Sequence, residues 1–425
     1  MVKTIVVLKT IKIKLHPNNK QSNKMFVFSN ASRFAYNWAL AEEMENFKQN
    51  KKFISDGDLR KKFTQLKKEK EYSWLNEIST NVTKQAIKDC CSAYKRYFNK
   101  QKEKGYIKYT KKKIQKASRL NKPLTVYDMQ HHPKFKRKKD TTPSFYIDTY
   151  KIKFTSTHVK MEGFASSKKK NKQKLNWIKL AEKDKIPFGK NIKYYNPRVK
   201  FDGLDWWLTV GIEECICPKS YENQGIGIDL GIKDLAICSN GITYKNINKT
   251  AKIKKLEKKR RKLQRQISRK YITNKEGRNY CKTSNIIKSE KELLKLNHRL
   301  TNIRHEYQLQ VIKDIIKRKP SFITIEDLNI QGMMKNKYLS KAIHQQALYN
   351  FIRILTYKCA WNGIELRQVD RFYPSSKTCH ECGYVKKDLK LSDRIYVCPS
   401  CGNVIDRDYQ ASLNLRDCKE YKIIA

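Results

Sequence analysis

Two Cys-x-x-Cys pairs constrain the fold of this chain more than any other feature. Cys379-His380-Glu381-Cys382-Gly383 and Cys398-Pro399-Ser400-Cys401-Gly402 leave fifteen residues between Cys382 and Cys398. Thiols three residues apart can share an ion, and two such pairs at this separation make a four-cysteine zinc pattern. The glycine after each pair suits a backbone that turns its N–H groups toward sulfur. Four thiolates fill a tetrahedral shell, so the single expected Zn²⁺ is structural and not catalytic. A redox dithiol is the competing reading for either pair alone. His380 reads as a bystander between ligands. Of the other cysteines, Cys90-Cys91 and Cys215-x-Cys217 read as packing residues.

Charge narrows the partners. The 425 residues carry 93 Lys+Arg against 40 Asp+Glu, a net charge of +53. Small domains usually stay near balance, and a field of this size seeks a polyanion. Nucleic acid is the first candidate and an anionic membrane the second. The length predicts roughly two to four domains. Aromatics at 11%, with 24 Tyr and 16 Phe, exclude one long disordered basic tail and suit stacking on bases. No run approaches the ~20 apolar residues of a membrane-spanning helix. The start, Met1 to Thr10, lacks the apolar core and cleavage site of a secretory signal. A cytoplasmic location follows, with thiols reduced or metal-bound.

Along the chain, Ile11-Lys12-Ile13-Lys14-Leu15 alternates as a strand with one buried face. From Met25 to Gln101 the spacing turns helical, with Phe34, Trp38, Met44, Ile87, Tyr94 and Phe98 as the apolar set. Lys102 to Asp140 reads as a basic linker. Short alternating runs from Ser144 to Glu214 predict an antiparallel β unit, a barrel completed by the N-terminal strands, with a polar, mobile loop at Ser166 to Lys174. From Ile226 the pattern becomes α/β. Strands are predicted at Ile226–Leu230, Leu235–Ser239, Ile242–Ile247, Ser321–Leu328 and Ile364–Val369. Asn240-Gly241 marks a hairpin. Helices are predicted at Lys252–Lys270, from the end of a loop around Asn274 to Ser284 as far as Lys319, and at about Ala342–Trp361.

Three acids sit at element ends in this α/β part. Asp229 interrupts Ile226-Gly227-Ile228-Asp229-Leu230-Gly231, and Glu326 follows Ile323-Thr324-Ile325. A charge buried in an apolar strand is costly without a partner. Asp406-Arg407-Asp408-Tyr409 follows the second cysteine pair and opens a helix. Three such acids can converge on one or two Mg²⁺ ions. Two ions ~3.5–4 Å apart would activate water and stabilise the leaving oxygen in phosphodiester hydrolysis. Each acid also has a plainer reading: Asp229 as a turn residue, Glu326 paired with a lysine, Asp408 as an N-cap. The Gly-x-Asp-x-Gly turn also occurs in sugar kinases and actin-like ATPases, but the further phosphate loops those need are not found.

The runs Ile226 to Ala236, Ile325 to Ile330, Phe372-Tyr373-Pro374-Ser375-Ser376-Lys377-Thr378-Cys379 to Gly383, and Asp406 to Ala411 resemble the split RuvC motifs of TnpB. TnpB proteins are OrfB-type, transposon-encoded RNA-guided endonucleases and the ancestors of type V CRISPR effectors. Arg33-Phe34-Ala35-Tyr36-Asn37-Trp38 is similar to a helix of that family, and Pro133 to Lys138 to its basic approach to the wedge. The resemblance implies an α/β multidomain protein: a RuvC core of the RNase H type with a helical insertion and zinc ribbon, plus a β-barrel wedge and an α-helical recognition lobe. It implies wedge at 1–24 and 131–222 and recognition lobe at 25–130. RuvC would span 223–375, with the helical hairpin at about 250–320 lining a heteroduplex channel. The zinc ribbon, binding target nucleic acid, would be 376–403, and 404–425 would hold the last RuvC segment and a tail.

By the same resemblance, Asp229, Glu326 and Asp408 are the catalytic acids and hold two Mg²⁺, while Cys379, Cys382, Cys398 and Cys401 hold one Zn²⁺. The family pattern at the third acid is Asp-x-Asn-Ala-Ala. Here it reads Asp408-Tyr409-Gln410-Ala411-Ser412, and Asp406 stands as the other candidate. The implied activity is RNA-guided DNA cleavage beside a short duplex motif. The partners are a guide RNA, the target DNA duplex and the RNA–DNA heteroduplex, with no membrane, and guide pairing supplies specificity. A compact type V CRISPR effector would share the chemistry. A nuclease-dead guided repressor would be expected to have lost an acid, and all three are present. A serine or tyrosine recombinase needs an Arg/His cluster that is not found. Candidate nucleic-acid contacts are Lys136, Arg137 and Lys138, then Lys258, Lys259, Arg260, Arg261 and Lys262, and Arg407 as a phosphate ligand at the cut site. Tyr36 is read for stacking or core, Trp38 for core.

Overall fold

Alternation of apolar and basic residues makes β1 (Ile5–His16) a strand with Ile13 and Leu15 buried on one face. It belongs to a computed structural model that describes residues 5–49, 52–103, 109–124, 128–129, 131–164, 174–189, 191–217, 219, 221–277, 279–390 and 393–425. The loop expected over 166–174 lies outside the described residues, save its last position. The chain separates into two units, Leu8–Glu214 and one formed chiefly by Cys215–Ala425.

In the first unit, Asn18 caps α1 (Asn19–Lys48): its side chain accepts from Gln21 N, and the Gln21 side chain accepts from Asn18 N. The helices α2 (Asp56–Leu66), α3 (Thr80–Glu103) and α4 (Lys111–Arg119) follow. The last of these lies in the segment expected as linker, because Thr110 supplies an N-cap to Lys113 N. Six further strands are β2 (Ser144–Tyr146), β3 (Lys153–Phe154), β4 (His158–Lys160), β5 (Trp177–Leu180), β6 (Tyr194–Phe201) and β7 (Trp206–Ile216). With β1 they form one sheet in the order β2-β6-β7-β1-β5-β4-β3. Among the described residues no ladder joins its outer strands β2 and β3, so the expected barrel is drawn here as an open sheet. Phe28 of α1 meets Phe145 of β2 edge-on at 5.5 Å, and a single hydrophobic cluster runs through helices and sheet. Trp38 packs on Phe63 at 5.0 Å, as its core reading requires. Cys90 and Cys91 are buried in this cluster, but Cys215 and Cys217 are exposed, since β7 runs past the core at its end; their packing reading is corrected.

The second unit is built on β8 (Ile226–Leu230), β9 (Asp234–Cys238), β10 (Thr243–Lys245), β13 (Phe322–Glu326), β14 (Glu365–Val369) and β17 (Lys422–Ile423). Their order is β10-β9-β8-β13-β14-β17, with β8, β13 and β14 parallel and the other ladders antiparallel. The helical hairpin is α5 (Ala251–Thr273) and α6 (Ser284–Lys317), joined through the short β11 (Lys275–Glu276) and β12 (Asn279–Tyr280). Ile253, Leu263 and Ile267 line the buried side of α5, together with Glu257, which bonds Arg304 of α6 at 2.8 Å.

Three helices follow β13: α7 (Ile330–Met333), α8 (Ser340–Gln346) and α9 (Leu348–Asn362). The single helix expected from 342 to 361 therefore breaks at Ala347, where φ is 52°. Gln308 donates to the carbonyls of Gln346 (2.7 Å) and Ala347 (3.2 Å), satisfying the groups that the break frees. A small hairpin, β15 (Ile395–Val397) and β16 (Val404–Asp406), leads to α10 (Arg407–Asp417). Ile226, Ile228, Ile323, Ile325 and Leu366 form one core with Val311 and Ile312 of α6 and Phe351 and Ile354 of α9. Among the described residues no helix is long and apolar enough to cross a membrane.

The opposite face of β8 meets α10 at Gly227. A Cβ there would lie 2.0 Å from the Ser412 carbonyl oxygen and 2.5 Å from Arg416 N. Backbone cannot yield as a side-chain end can, so Gly227→Ala should cost about 1–3 kcal/mol or more. Thermal unfolding should show a lowered midpoint, and an unchanged one would mean that α10 sits farther from the strand.

Glu43 generates a second expectation. It is 0% exposed, its Oε2 accepts from Ile54 N at 3.3 Å, and its Oε1 has no partner. Burial pushes its carboxyl up to about 7, above an unfolded value of ~4.3. The protonated form thus favours folding. That stability is complete below the unfolded value and is lost as pH rises through about 7. In urea titrations from acidic to neutral pH, the wild type should lose stability relative to Glu43→Gln, and parallel curves would refute the assignment.

Candidate functional site

Parallel register brings the first two acids together. Ile323, Thr324 and Ile325 of β13 pair with Ile226, Gly227 and Ile228 of β8. One step further along both strands stand Glu326 and Asp229. They point to the face carrying Gly227, away from the isoleucine core, because side chains alternate. Neighbours on adjacent strands lie about 5 Å apart at Cβ.

The third acid arrives on α10. Asp406 is the N-cap, its Oδ1 accepting from Asp408 N (3.0 Å) and Tyr409 N (2.9 Å). The cap thus falls to Asp406 and leaves the Asp408 carboxylate free of that duty, near enough to Asp229 for its charge to be felt there. Burial, then the charges of Glu326 and Asp408, push Asp229 up to about 8, against the opposing pull of Arg407. Burial also raises Glu326, against a hydrogen bond from Ser375 Oγ. Among the described residues that serine, and no lysine, is the side-chain partner of Glu326. Asp327 next to it is paired with Arg371 at 2.6 Å.

Arg407 grips Asp408 Oδ1 through Nε (3.0 Å) and one Nη (2.7 Å), and Arg394 reaches Oδ2 at 3.3 Å. The Arg407 side chain is only 12% exposed and is paired with the acid beside which it was read as a phosphate ligand. The acids crowd like charges into a low-dielectric corner, an arrangement that suits a divalent cation.

The four thiols are nearer still. Among the described residues, Cys379, Cys382, Cys398 and Cys401 form the one group of three or more such ligands whose donor atoms all lie within 4.8 Å. Sγ separations of 3.7 Å (Cys379–Cys401) and 3.5 Å (Cys382–Cys398) approach the ~3.8 Å edge of a tetrahedron with ~2.3 Å metal–sulfur bonds. Both knuckles share one turn: Gly383 N donates to Cys379 O and Gly402 N to Cys398 O, each at 3.0 Å. Both glycines are left-handed, with φ of 73° and 74°. Desolvation opposes ionisation of Cys398, yet donors from the Cys401 and Ser400 backbone bring it down to about 6. The residues therefore fit a metal.

Two residues that sequence reasoning left without a role join these clusters. Ser375 holds Glu326, and Asn414 of α10 donates at 2.7 Å to the carbonyls of both Ser375 and Thr378. His380, read as a bystander, contacts Asn414 Oδ1 at 3.3 Å and Asp417 at 3.6 Å. Ser375 lies within the Tyr373-Pro374-Ser375-Ser376 run. Arg394 had no pattern to mark it.

The basic candidates divide. Lys258, Lys259, Arg261 and Lys262 are exposed along α5, whereas Arg260 turns back to Glu257 at 2.6 Å. In the first unit, Arg137 and Lys138 are exposed, and Lys136 lays its Nζ 3.7 Å over the ring of Tyr36. Tyr36 itself is buried.

Comparisons with known proteins place these parts. The IS605 OrfB family models match twice, described as "Helix-turn-helix domain" over residues 1–52 and "Probable transposase" over 210–337, and a "Cas12f1-like, TNB domain" model matches 349–415. A Streptomyces pristinaespiralis protein named "Putative RNA-guided DNA endonuclease" is 26% identical over 96% of this chain and 89% of its own. The Escherichia coli K12 "Putative RNA-guided DNA endonuclease InsQ" is 24% identical over 96% of this chain and 91% of its own. A Cas12f1 chain, solved by cryo-EM with its guide RNA and target DNA, shares the fold at TM-score 0.50 and 14% identity, covering 98% of this chain and 100% of that one. These matches, two of them over the segments that bear the acids and the thiols, show that the chain is similar along nearly its whole length to proteins named as RNA-guided DNA endonucleases, and in parts to insertion-sequence OrfB and Cas12f1-like models.

Proposed function

We propose that this protein is an RNA-guided DNA endonuclease of an insertion sequence, hydrolysing phosphodiesters in a single RuvC site. The observation that carries the reading is the placement of Asp229 and Glu326 at the ends of adjacent parallel strands, with α10 bringing Asp408 to the same face. The names of its full-length relatives and its net charge of +53 support it.

On this reading the sheet from β10 to β14 is an RNase H-type core and the α5–α6 hairpin its insertion. The first unit holds wedge and recognition lobe, and the cysteine knuckles form the target-nucleic-acid-binding ribbon. Asp229, Glu326 and Asp408 would hold two Mg²⁺, and the four thiolates one structural Zn²⁺. When bound, the magnesium ions supply an activated water and charge stabilisation at the leaving oxygen. The chain's own groups do the positioning. Ser375 fixes the rotamer of Glu326, and the Asp406 cap fixes the first turn of α10. Arg407 and Arg394 balance Asp408 beside an incoming polyanion. Lys258, Lys259 and Arg261 present charge to a nucleic-acid backbone. Such work on DNA with reduced thiols belongs in the cytoplasm, at the nucleoid.

A compact type V CRISPR effector is the second reading, favoured by the Cas12f1-like match over 349–415. Sequencing RNA that co-purifies with the protein separates the two, since the guide would derive from a transposon end or from a CRISPR array.

With that RNA and Mg²⁺, the wild type should cut matching DNA. Asp229→Ala and Glu326→Ala should abolish cutting while retaining RNA, and normal cutting by either variant would defeat the assignment. Ser375→Ala should lower the rate about 10–100-fold, as loss of a ligand's hydrogen-bond partner does.

Elemental analysis addresses the other centre. Cys398→Ser should lose one tightly held metal equivalent per chain, and Asp229→Ala should lose none. Equal metal content in Cys398→Ser and wild type would exclude the tetrathiolate site.

A further inference from the structure

Within the first unit lies a cavity of about 330 Å³, between the N-terminal half of α1 and the segment leading into β2. Ser29, Asn30, Arg33, Lys136, Lys138 and Thr141 supply its polar wall, and no carboxylate lines it. Two observations there are unexplained by folding. Ser29 is 5% exposed, yet its hydroxyl has no hydrogen-bond partner. Arg33 is half-buried and, among the described residues, has neither an ion pair nor a hydrogen bond. A buried hydroxyl without a partner and a half-buried guanidinium without a counter-charge both destabilise the empty protein.

Both deficits are met by the same object. A tetrahedral anion accepts from a hydroxyl and from the fork of an arginine together, and the exposed Lys138 adds charge at the rim. The wall is already fixed. Asn37, one turn along α1, donates to Lys136 O at 3.0 Å and accepts from Lys136 N at 2.8 Å. Lys136 in turn lies over Tyr36. The basic segment is thus clamped to the helix, and the mouth between them cannot collapse to pair its own groups.

We propose that this cavity seats one phosphate group of a nucleic-acid backbone, held by Arg33, Lys138 and the Ser29 hydroxyl. The proposal rests on the nucleic-acid reading above and adds to it a site remote in sequence from the acids and thiols. A phosphate in a guide RNA and one in a DNA duplex offer the same chemistry, so the test must tell them apart.

The full-length protein is titrated with a labelled single-stranded RNA and, separately, with a labelled DNA duplex, over a range of salt. For Arg33→Gln/Lys138→Gln, the slope of log K against log salt should become shallower in one arm only. The change should be about 0.7 if the phosphate belongs to the single strand and about 0.9 if it belongs to the duplex. Ser29→Ala should weaken binding in that same arm by about tenfold, as loss of a hydrogen bond to a charged group does. Its thermal midpoint should hold or rise, because the hydroxyl has no partner to lose. Unchanged slopes in both arms overturn the site, as does a Ser29→Ala protein that melts lower and binds normally. A wild type that binds neither probe overturns the nucleic-acid reading itself.

Discussion

The second unit depends on one close approach. The backbone of α10 lies so near β8 that only a residue without a side chain fits between them, and Gly227 is that residue. Two residues along the same strand stands Asp229, and at the start of the same helix stands Asp408. Hydrophobic packing fixes the far face of the sheet, but it cannot set this distance. Backbone against backbone does, because neither partner has a rotamer with which to adjust.

The charges around that contact are arranged against their own preference. Three carboxylates approach one another where burial already disfavours ionisation, and Asp229 rises accordingly. Two arginines temper this by holding Asp408. One comes from the helix itself and the other from the segment leading into β15, so the third acid is held in part by the cysteine ribbon. A local balance of this kind sits inside a chain whose overall sign is strongly positive. Attraction for a polyanion and tolerance of a small acidic pocket are therefore separate properties, set by different residues.

Much of this was legible in the sequence because the signals were covalent or periodic. Cysteine spacing named the four-thiol cluster, and the apolar runs around Asp229 and Glu326 named two strands, whose pairing only the fold shows. The α5–α6 hairpin followed its 3.6-residue pattern to within a few residues. What the sequence hid depends on tertiary partners. No pattern marks Ala347 as left-handed, since the break is stabilised by Gln308 from a distant helix. None marks Arg394 or the clasp of Asn37 on Lys136. Arg407 shows the limit from the other side. Its residue type fits a phosphate ligand, and only the fold shows the carboxylate beside it.

The contacts of Asn414 and His380 join the two chemical centres. Asn414 lies in the C-terminal half of α10 and holds the turn through Ser375 and Thr378, while His380, between two thiols, contacts Asn414 and Asp417. The helix therefore rests against Gly227, with its N-terminal end at the acids and its C-terminal half fastened to the knuckle. An ion held by the four thiolates would thus bear, through Asn414 and His380, on where the first turn of α10 carries Asp408.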